Sequence, residues 1–472
     1  MKYCVLFISF IYVSALFSQS YEPVGIAQNH LIPVSQISNI KNFIDHPLSQ
    51  TDDSLTLYNE QIYQSLYFDI HYTIAGPDAV SNKDDNQSGI PDIVEFIATT
   101  FDTVMIRYIK NKFTPPPPDN GRGGTDRYDI YILNLDAISP AATGLALTDE
   151  YIGDNINSTD IVESTAFSSY ICIRNSYLQF KEPQDILIKA TAAHEFMHSI
   201  QFGYGLISAS LWFKEMTAVW AEQLIFPDVT DNFFYLPNFF NNPDYALNIS
   251  TESDNYGSYG QHWYSTWIFA KYLTEHTNDS IINSIMKRTI TNNELNAIES
   301  ELKYNWNSSF SEIFNNFLIS NLLLTNDSSF APYTYSHANE YKQYLNSKGS
   351  SLYIQDNISS IPYFHYSKDN GNGKLMRLSA DYFSISTATP FKIFLSLINK
   401  KAQVDMQLIS INKSSNTISI TTPVKNGDST YIDYFNDNTS NTYFLIIKRL
   451  DKFKIIDSSE QYKIYVNNYP LS

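Results

Sequence analysis

Two histidines four residues apart, with a glutamate after the first, are the part of this chain best equipped for chemistry: Ala193-His194-Glu195-Phe196-Met197-His198. Imidazole nitrogens are good zinc ligands. On an α-helix a spacing of four sets both side chains on one face, one turn apart. Glu195 then sits about 100° round the helix. There it is badly placed as a third ligand but well placed to take a proton from water at the ion. The neighbourhood predicts that helix. Pro183 suits a first turn, Asp185 puts negative charge near the helix start, and no Gly or Pro interrupts Ile186 to Gln201. Ile186, Ala193, Met197 and Ile200 recur at helical spacing on a stripe distinct from the histidines. Gly203 and Gly205 supply the stop signal.

A catalytic zinc wants a third protein ligand and an open fourth position. A third histidine in the metzincin manner would need Gly at 201 and His at 204, where the chain has Gln201 and Tyr204. The run Trp212-Phe213-Lys214-Glu215-Met216-Thr217-Ala218-Val219-Trp220-Ala221-Glu222 is helix-compatible, and a turn at Gly203-Tyr204-Gly205 would bring it back antiparallel. It offers two carboxylates, Glu215 and, two turns on along the same face, Glu222.

His-Glu-Phe-Met-His followed by Trp-x-x-Glu-x-x-Ala-x-Trp-x-Glu resembles the secreted bacterial metallopeptidases of the gluzincin type. The match is close over residues 185–223, with weaker echoes around 67–135 and 256–273. Where that family commonly reads Asn-Glu-Gly, this chain reads Lys214-Glu215-Met216. The resemblance implies zinc held by His194, His198 and Glu215, with Glu195 as general base. It implies an α+β zincin-like domain, a mixed sheet plus the active-site helix, then a mainly helical subdomain. It also implies a sheet edge beside the site that pairs with extended substrate, for which Tyr170 to Asn175 is the candidate strand, an interior position being equally open. Peptide hydrolysis needs a donor for the oxyanion. Tyr259, His262 and Tyr264 stand at a fitting stage of the chain.

A second constellation is Asp84-Asp85-Asn86-Gln87-Ser88-Gly89-Ile90-Pro91-Asp92-Ile93-Val94-Glu95. Counted from Asp84, side-chain oxygens fall at positions 1, 3, 5 and 9. Gly89 is at 6, the Ile90 carbonyl at 7 and Glu95 at 12, the ligand order of a calcium loop. Asp84, Asn86, Ser88, Ile90, Asp92 and Glu95 are therefore candidate calcium ligands, in a structural role away from the chemistry. A strand, Tyr67 to Ile74, precedes the loop, and a helix from about Ile93 to Tyr108 follows it.

The remaining elements must position these residues. At 472 residues the chain is long enough for two or three domains, and 43% hydrophobic with 17% charged residues is a globular composition. Residues 1–20 read as a signal peptide, with Lys2, an apolar run from Val5 to Leu16, and small residues for cleavage near Ser18 to Ser20. That predicts secretion without stable membrane insertion. Residues 21–60 read as an N-terminal arm or short pro-segment. The metallopeptidase domain is expected over 61–345, with strands at Tyr128 to Leu133 and Tyr170 to Asn175, and helices at Thr266 to His276 and Ser311 to Leu324. From 350 to 472, short β-prone runs alternate with turns, which predicts a β-sandwich. The runs are Leu375 to Leu378, Phe391 to Ile398, Asp405 to Ile411, Thr417 to Thr421, Tyr443 to Ile447 and Tyr462 to Val466. It carries no catalytic constellation and is available to bind a surface, a glycan or substrate.

A net charge of −18 argues against nucleic acid as a partner and suits cation binding. With Cys4 inside the signal segment, Cys172 alone is left, so no internal disulfide forms; it reads as a buried strand residue. The expected function is a secreted zinc endopeptidase acting on proteins or peptides. The rival readings are an extracellular metal-binding adhesion protein without proteolytic activity, and a zinc hydrolase of non-protein amides.

Overall fold

The computed structural model describes residues 57–137, 139–206, 209–249, 262–367, 375–387, 390–398, 402–412, 414–426, 429–434, 441–451 and 462–468. The fold is mixed α+β with three five-stranded sheets, and it divides into two compact units. The first takes in the described residues up to Phe234 together with Asn278–Glu301. The second takes in residues 235–249 and 262–277, then Leu302 onward. The helices between 235 and 345 are therefore shared between the two units. Among the described residues, no helix is long and apolar enough to cross a membrane.

The sheet of the first unit is built from β1 (Gln61–Gln64), β2 (Phe68–Tyr72), β3 (Tyr128–Leu133), β4 (Gly144–Gly153) and β5 (Ala166–Arg174), in the order β1-β2-β3-β5-β4. β2, β3 and β5 run parallel; β1 and β4 are antiparallel to their neighbours. Buried on both faces, the central strands read as near-continuous apolar runs such as Tyr128-Asp129-Ile130-Tyr131-Ile132-Leu133, the pattern of a covered sheet. Cys172 is buried in β5, its thiol pKa raised by burial. Of the two positions open for this strand, the interior one holds. Tyr170 to Asn175, the candidate substrate-pairing edge, falls mostly within β5, which is paired on both sides. The edge beside β5 is β4, whose outer half is only partly covered and gives a weak apolar signal.

Three helices complete the part that carries the site: α1 (Asp92–Lys110), α2 (Gln184–Gly203) and α3 (Leu211–Ile225). Pro183 caps α2 at its N-terminus with Asp185 in the first turn. The helix is buried almost all round, as its evenly spread apolar residues require. It is tied down at several points. Tyr108 donates its hydroxyl to the Ala193 carbonyl at 2.6 Å. The Tyr128 hydroxyl lies 2.9 Å from Ser169 Oγ and 2.5 Å from Ser199 Oγ, linking β3, β5 and α2. Phe196 packs edge-on to Phe68 and Tyr128. Beyond α2, Gly205 adopts φ +75°, and a side chain there would meet Thr165 Oγ1 at 2.4 Å, so the turn into α3 demands glycine.

The second unit combines helices, among them Leu236–Asn241, Trp267–Glu275, Phe310–Leu323 and Ala338–Ser347, with two sheets. One has the order β11 (Thr417–Thr421), β10 (Val404–Asn412), β14 (Asn441–Arg449), β8 (Ser379–Ile385), β6 (Asp356–Ile358). The other has the order β12 (Val424–Asn426), β13 (Ser429–Tyr434), β9 (Phe391–Leu397), β15 (Tyr462–Asn468), β7 (Tyr363–Tyr366). Phe383, Met406, Leu408 and Leu445 from the first meet Ile393, Leu395, Ile432 and Ile464 from the second in one core. Leu375 to Leu378, expected as a strand, has one bridge residue at Leu375 and ends in a turn, where Leu378 takes φ +49°.

Candidate metal centre

α2 and α3 pack antiparallel, and their facing side chains build the centre. His194 Nε2 and His198 Nε2 lie 3.2 Å apart. Glu215 Oε2 lies 3.3 Å from the first and 3.5 Å from the second. Among the described residues this is the one group of three or more His, Cys, Asp or Glu side chains whose ligand atoms converge, all within 4.8 Å of one another. Two imidazole nitrogens and a carboxylate oxygen are the donor set of a catalytic zinc, with a fourth position left open. His194 is fully buried, while the His198 and Glu215 side chains keep 14% and 10% exposure, so the cluster opens to solvent on their side.

The outer nitrogens are also fixed. His194 Nδ1 lies 2.9 Å from Glu222 Oε1. His198 Nδ1 lies 2.9 Å from Gln201 Oε1, and Gln201 in turn donates to the Lys214 carbonyl at 3.0 Å and Thr217 Oγ1 at 2.9 Å. An acceptor on each Nδ1 favours a proton there, and so the neutral tautomer whose Nε2 would face a bound ion. Glu222 was legible as a carboxylate two turns beyond Glu215; its part here is to hold His194. Gln201, one turn beyond His198, is a partner that sequence reading passed over, although i, i+3 spacing is the signal for it.

Burial and charge oppose each other at His194, Glu215, Glu222 and Glu195. For His194, burial favours the neutral ring, but Glu215 and Glu222 outweigh it and raise its pKa well above the ordinary value. For Glu215, burial works against the charged form, but His198 and His194 overcome it and hold the carboxyl below the usual range. Burial raises the pKa of Glu222. Glu195 is 2% exposed, and burial raises its pKa too, against the lowering pull of the histidines. Its Oε2 accepts from the Ala146 backbone amide of β4 at 2.9 Å. Gly144 on the same strand admits Glu195 closely: a Cβ there would stand 2.9 Å from Glu195 Cγ and 2.4 Å from Thr191 Cγ2.

Tyr259 lies outside the described residues. His262 belongs to the second unit, fully buried, stacked on Phe239 at 5.5 Å and edge-on to Tyr245. Burial pushes its pKa down to about 3, which keeps the ring neutral. The acidic loop before α1 closes on itself. Asp84 accepts from the Ser88 and Gly89 amides at 3.0 and 2.8 Å. Asn86 donates to Glu95 Oε2 at 2.7 Å, and Ser88 Oγ lies 3.3 Å from the Ile90 carbonyl. Asp92 accepts from the Asp85 amide at 3.0 Å, with Lys83 Nζ 3.5 Å away.

No protein-family model and no curated protein matches this chain. Among solved structures, a similarity covers 24% of this chain and 97% of the pre-peptidase C-terminal domain of a collagenase from Bacillus anthracis, at 14% identity and a TM-score of 0.17. A score that low bears on neither the fold nor the function of this chain.

Proposed function

We propose that the chain is a secreted zinc-dependent endopeptidase whose first unit is a zincin-like catalytic domain. The observation that carries this reading is the convergence of His194 Nε2, His198 Nε2 and Glu215 Oε2 beside a buried Glu195 that no ligand role occupies. His194, His198 and Glu215 would hold the ion. When bound, zinc supplies Lewis acidity toward water and a scissile carbonyl. The chain's residues do the rest. Glu222 and Gln201 keep both imidazoles in the tautomer that presents Nε2. Glu195, its carboxyl pKa raised by burial, takes a proton from the attacking water and delivers it to the leaving amine. The Ala146 amide holds its Oε2 and so fixes the orientation of the carboxylate. As an edge strand, β4 is suited to add an extended peptide by main-chain hydrogen bonding. The loop from Asp84 to Glu95 is assigned to calcium in a structural role on the order of its candidate ligands; in the structure the Asp84 and Asn86 side-chain oxygens accept from the Ser88 and Gly89 amides.

Metal content of the mature protein, measured with casein cleavage before and after a chelator, tests the reading. About one zinc per chain with chelator-sensitive cleavage is the expected result. Zinc without cleavage of any protein would transfer the assignment to a binding protein or to a hydrolase of other amides. No zinc would make His194 and His198 structural and end the proposal.

A further inference from the structure

The outer face of the sheet β12-β13-β9-β15-β7 carries a row of rings that the peptidase reading does not use. Register places Val424 beside Tyr431, Tyr431 beside Phe394, Phe394 beside Tyr465, and Tyr465 beside Phe364. One apolar side chain per strand thus forms a straight file across all five strands. At a strand spacing of about 4.8 Å the file is roughly 19 Å long. Alternate residues of the same strands, Ile393, Leu395, Ile432, Ile464 and Val466, point inward to the core, so the file is on the outer side. Phe364 is 61% exposed, Val424 50% and Tyr465 39%; Phe394 and Tyr431 are half-buried. Successive rings are neither perpendicular nor buried in one another: Phe394 stands 6.1 Å from Tyr431 at 43° and 6.3 Å from Tyr465 at 28°.

The rows on either side are polar. One is Asp433, Lys392 and Asn467; the other is Ser396, Lys463 and Tyr366. Lys392 Nζ sits 3.8 Å from the Tyr431 ring centroid and 2.9 Å from Asp433. Lys463 Nζ lies 5.5 Å from the Tyr366 ring. Asp433 offsets Lys392, so among the described residues of the flanks Lys463 supplies the uncompensated positive charge, in a chain of net charge −18.

A single file of rings one residue wide has no two-dimensional apolar core from which a folded protein partner could exclude water. Among the described residues it has no cluster of aliphatic side chains to enter a lipid surface. It matches a linear ligand that presents apolar ring faces along its length and hydrogen-bonding or charged groups at its sides. We propose that this face binds an extended acidic polysaccharide, with sugar rings stacked along Phe364, Tyr465 and Phe394 and with the sugar carboxylates or sulfates met by Lys463.

The test is affinity electrophoresis of the full chain in gels containing polygalacturonate, dextran sulfate, a neutral β-glucan or gelatin. Retardation by polygalacturonate or dextran sulfate is expected, falling as salt is raised. Phe364→Ala and Tyr465→Ala, both at exposed positions, should each weaken binding at least tenfold, and Lys463→Gln should weaken it while leaving the fold unchanged. Retardation by both acidic polymers, or by one alone, supports the proposal and separates carboxylate from sulfate recognition. No retardation by either, binding to gelatin alone, equal binding to the neutral glucan, or full binding by the two alanine variants would each overturn it.

Discussion

Glu222 Oε1 lies 2.9 Å from His194 Nδ1, on the side of the ring away from the ligand cluster. This carboxylate is two turns from Glu215 on the same helix, and both are acidic, yet only Glu215 Oε2 reaches the two Nε2 atoms. Replacement of Glu222 therefore leaves all three ligands in place but loosens one of them. Glu222→Ala should lower zinc affinity about 10- to 100-fold, the usual cost of losing such a partner, while Glu215→Ala should abolish stoichiometric binding. Competition against a chromophoric chelator measures both. Equal losses, or the reverse order, would reassign the third ligand.

Glu195 is close to the ligand cluster without belonging to it, and its Oε2 is held by the Ala146 amide. Glu195→Gln keeps the shape and removes the base. Zinc content should stay near one per chain while kcat on a protein substrate falls by about 10² to 10⁴, the range for general-base loss. A Gln variant with wild-type turnover would remove Glu195 from the mechanism.

Much of this was legible because helical spacing is local. The i, i+4 histidines, the helix stop at Gly203 and Gly205, and the second acidic helix all follow from short-range pattern. The runs at Phe391, Asp405, Thr417, Tyr443 and Tyr462 fall on strands because alternation and turn residues mark them. What was not legible depends on pairing between distant segments. Position within a sheet is a tertiary property, so Tyr170 to Asn175 could not be told from an edge, and β4 gave little signal with its outer half only partly covered. The Ala146 to Glu195 contact joins residues 49 apart. The division of the helices between two units is likewise set by long-range packing, which composition does not encode.

Gly144 tests how closely β4 must approach α2. A Cβ at this position would stand 2.4 Å from Thr191 Cγ2 and 2.9 Å from Glu195 Cγ, inside normal contact. Both neighbours sit on a buried helix with little room to yield. Gly144→Ala should cost about 1–3 kcal/mol, as overpacking does, seen as a lower urea midpoint. It should also lower kcat more than it lowers zinc affinity, since Glu195 rather than a ligand is displaced. A variant with unchanged stability and unchanged kcat would show that β4 can move away without consequence.

Asp381 offers a pH test that is independent of the metal centre. It is fully buried in β8, where Tyr462 donates to one oxygen at 2.5 Å and Gln355 to the other at 2.7 Å. Burial pushes its pKa from an ordinary 3.8 up to about 6, against the lowering effect of those two donors. The folded chain therefore holds a proton at this site that the unfolded chain has already lost between pH 4 and 6. Stability linked to Asp381 is greatest below pH 4, declines as pH rises through 6, and is flat above that. The whole decline amounts to about 3 kcal/mol. Asp381→Asn is neutral at every pH and should lack it. The quantity to measure is the difference in urea unfolding free energy between wild type and Asp381→Asn at pH 4, 6 and 8, so that other titrating groups cancel. Wild type should lose ground to the variant across that series. A constant difference would mean that Asp381 is ionised in the folded state at pH 4, and that its two donors outweigh its burial.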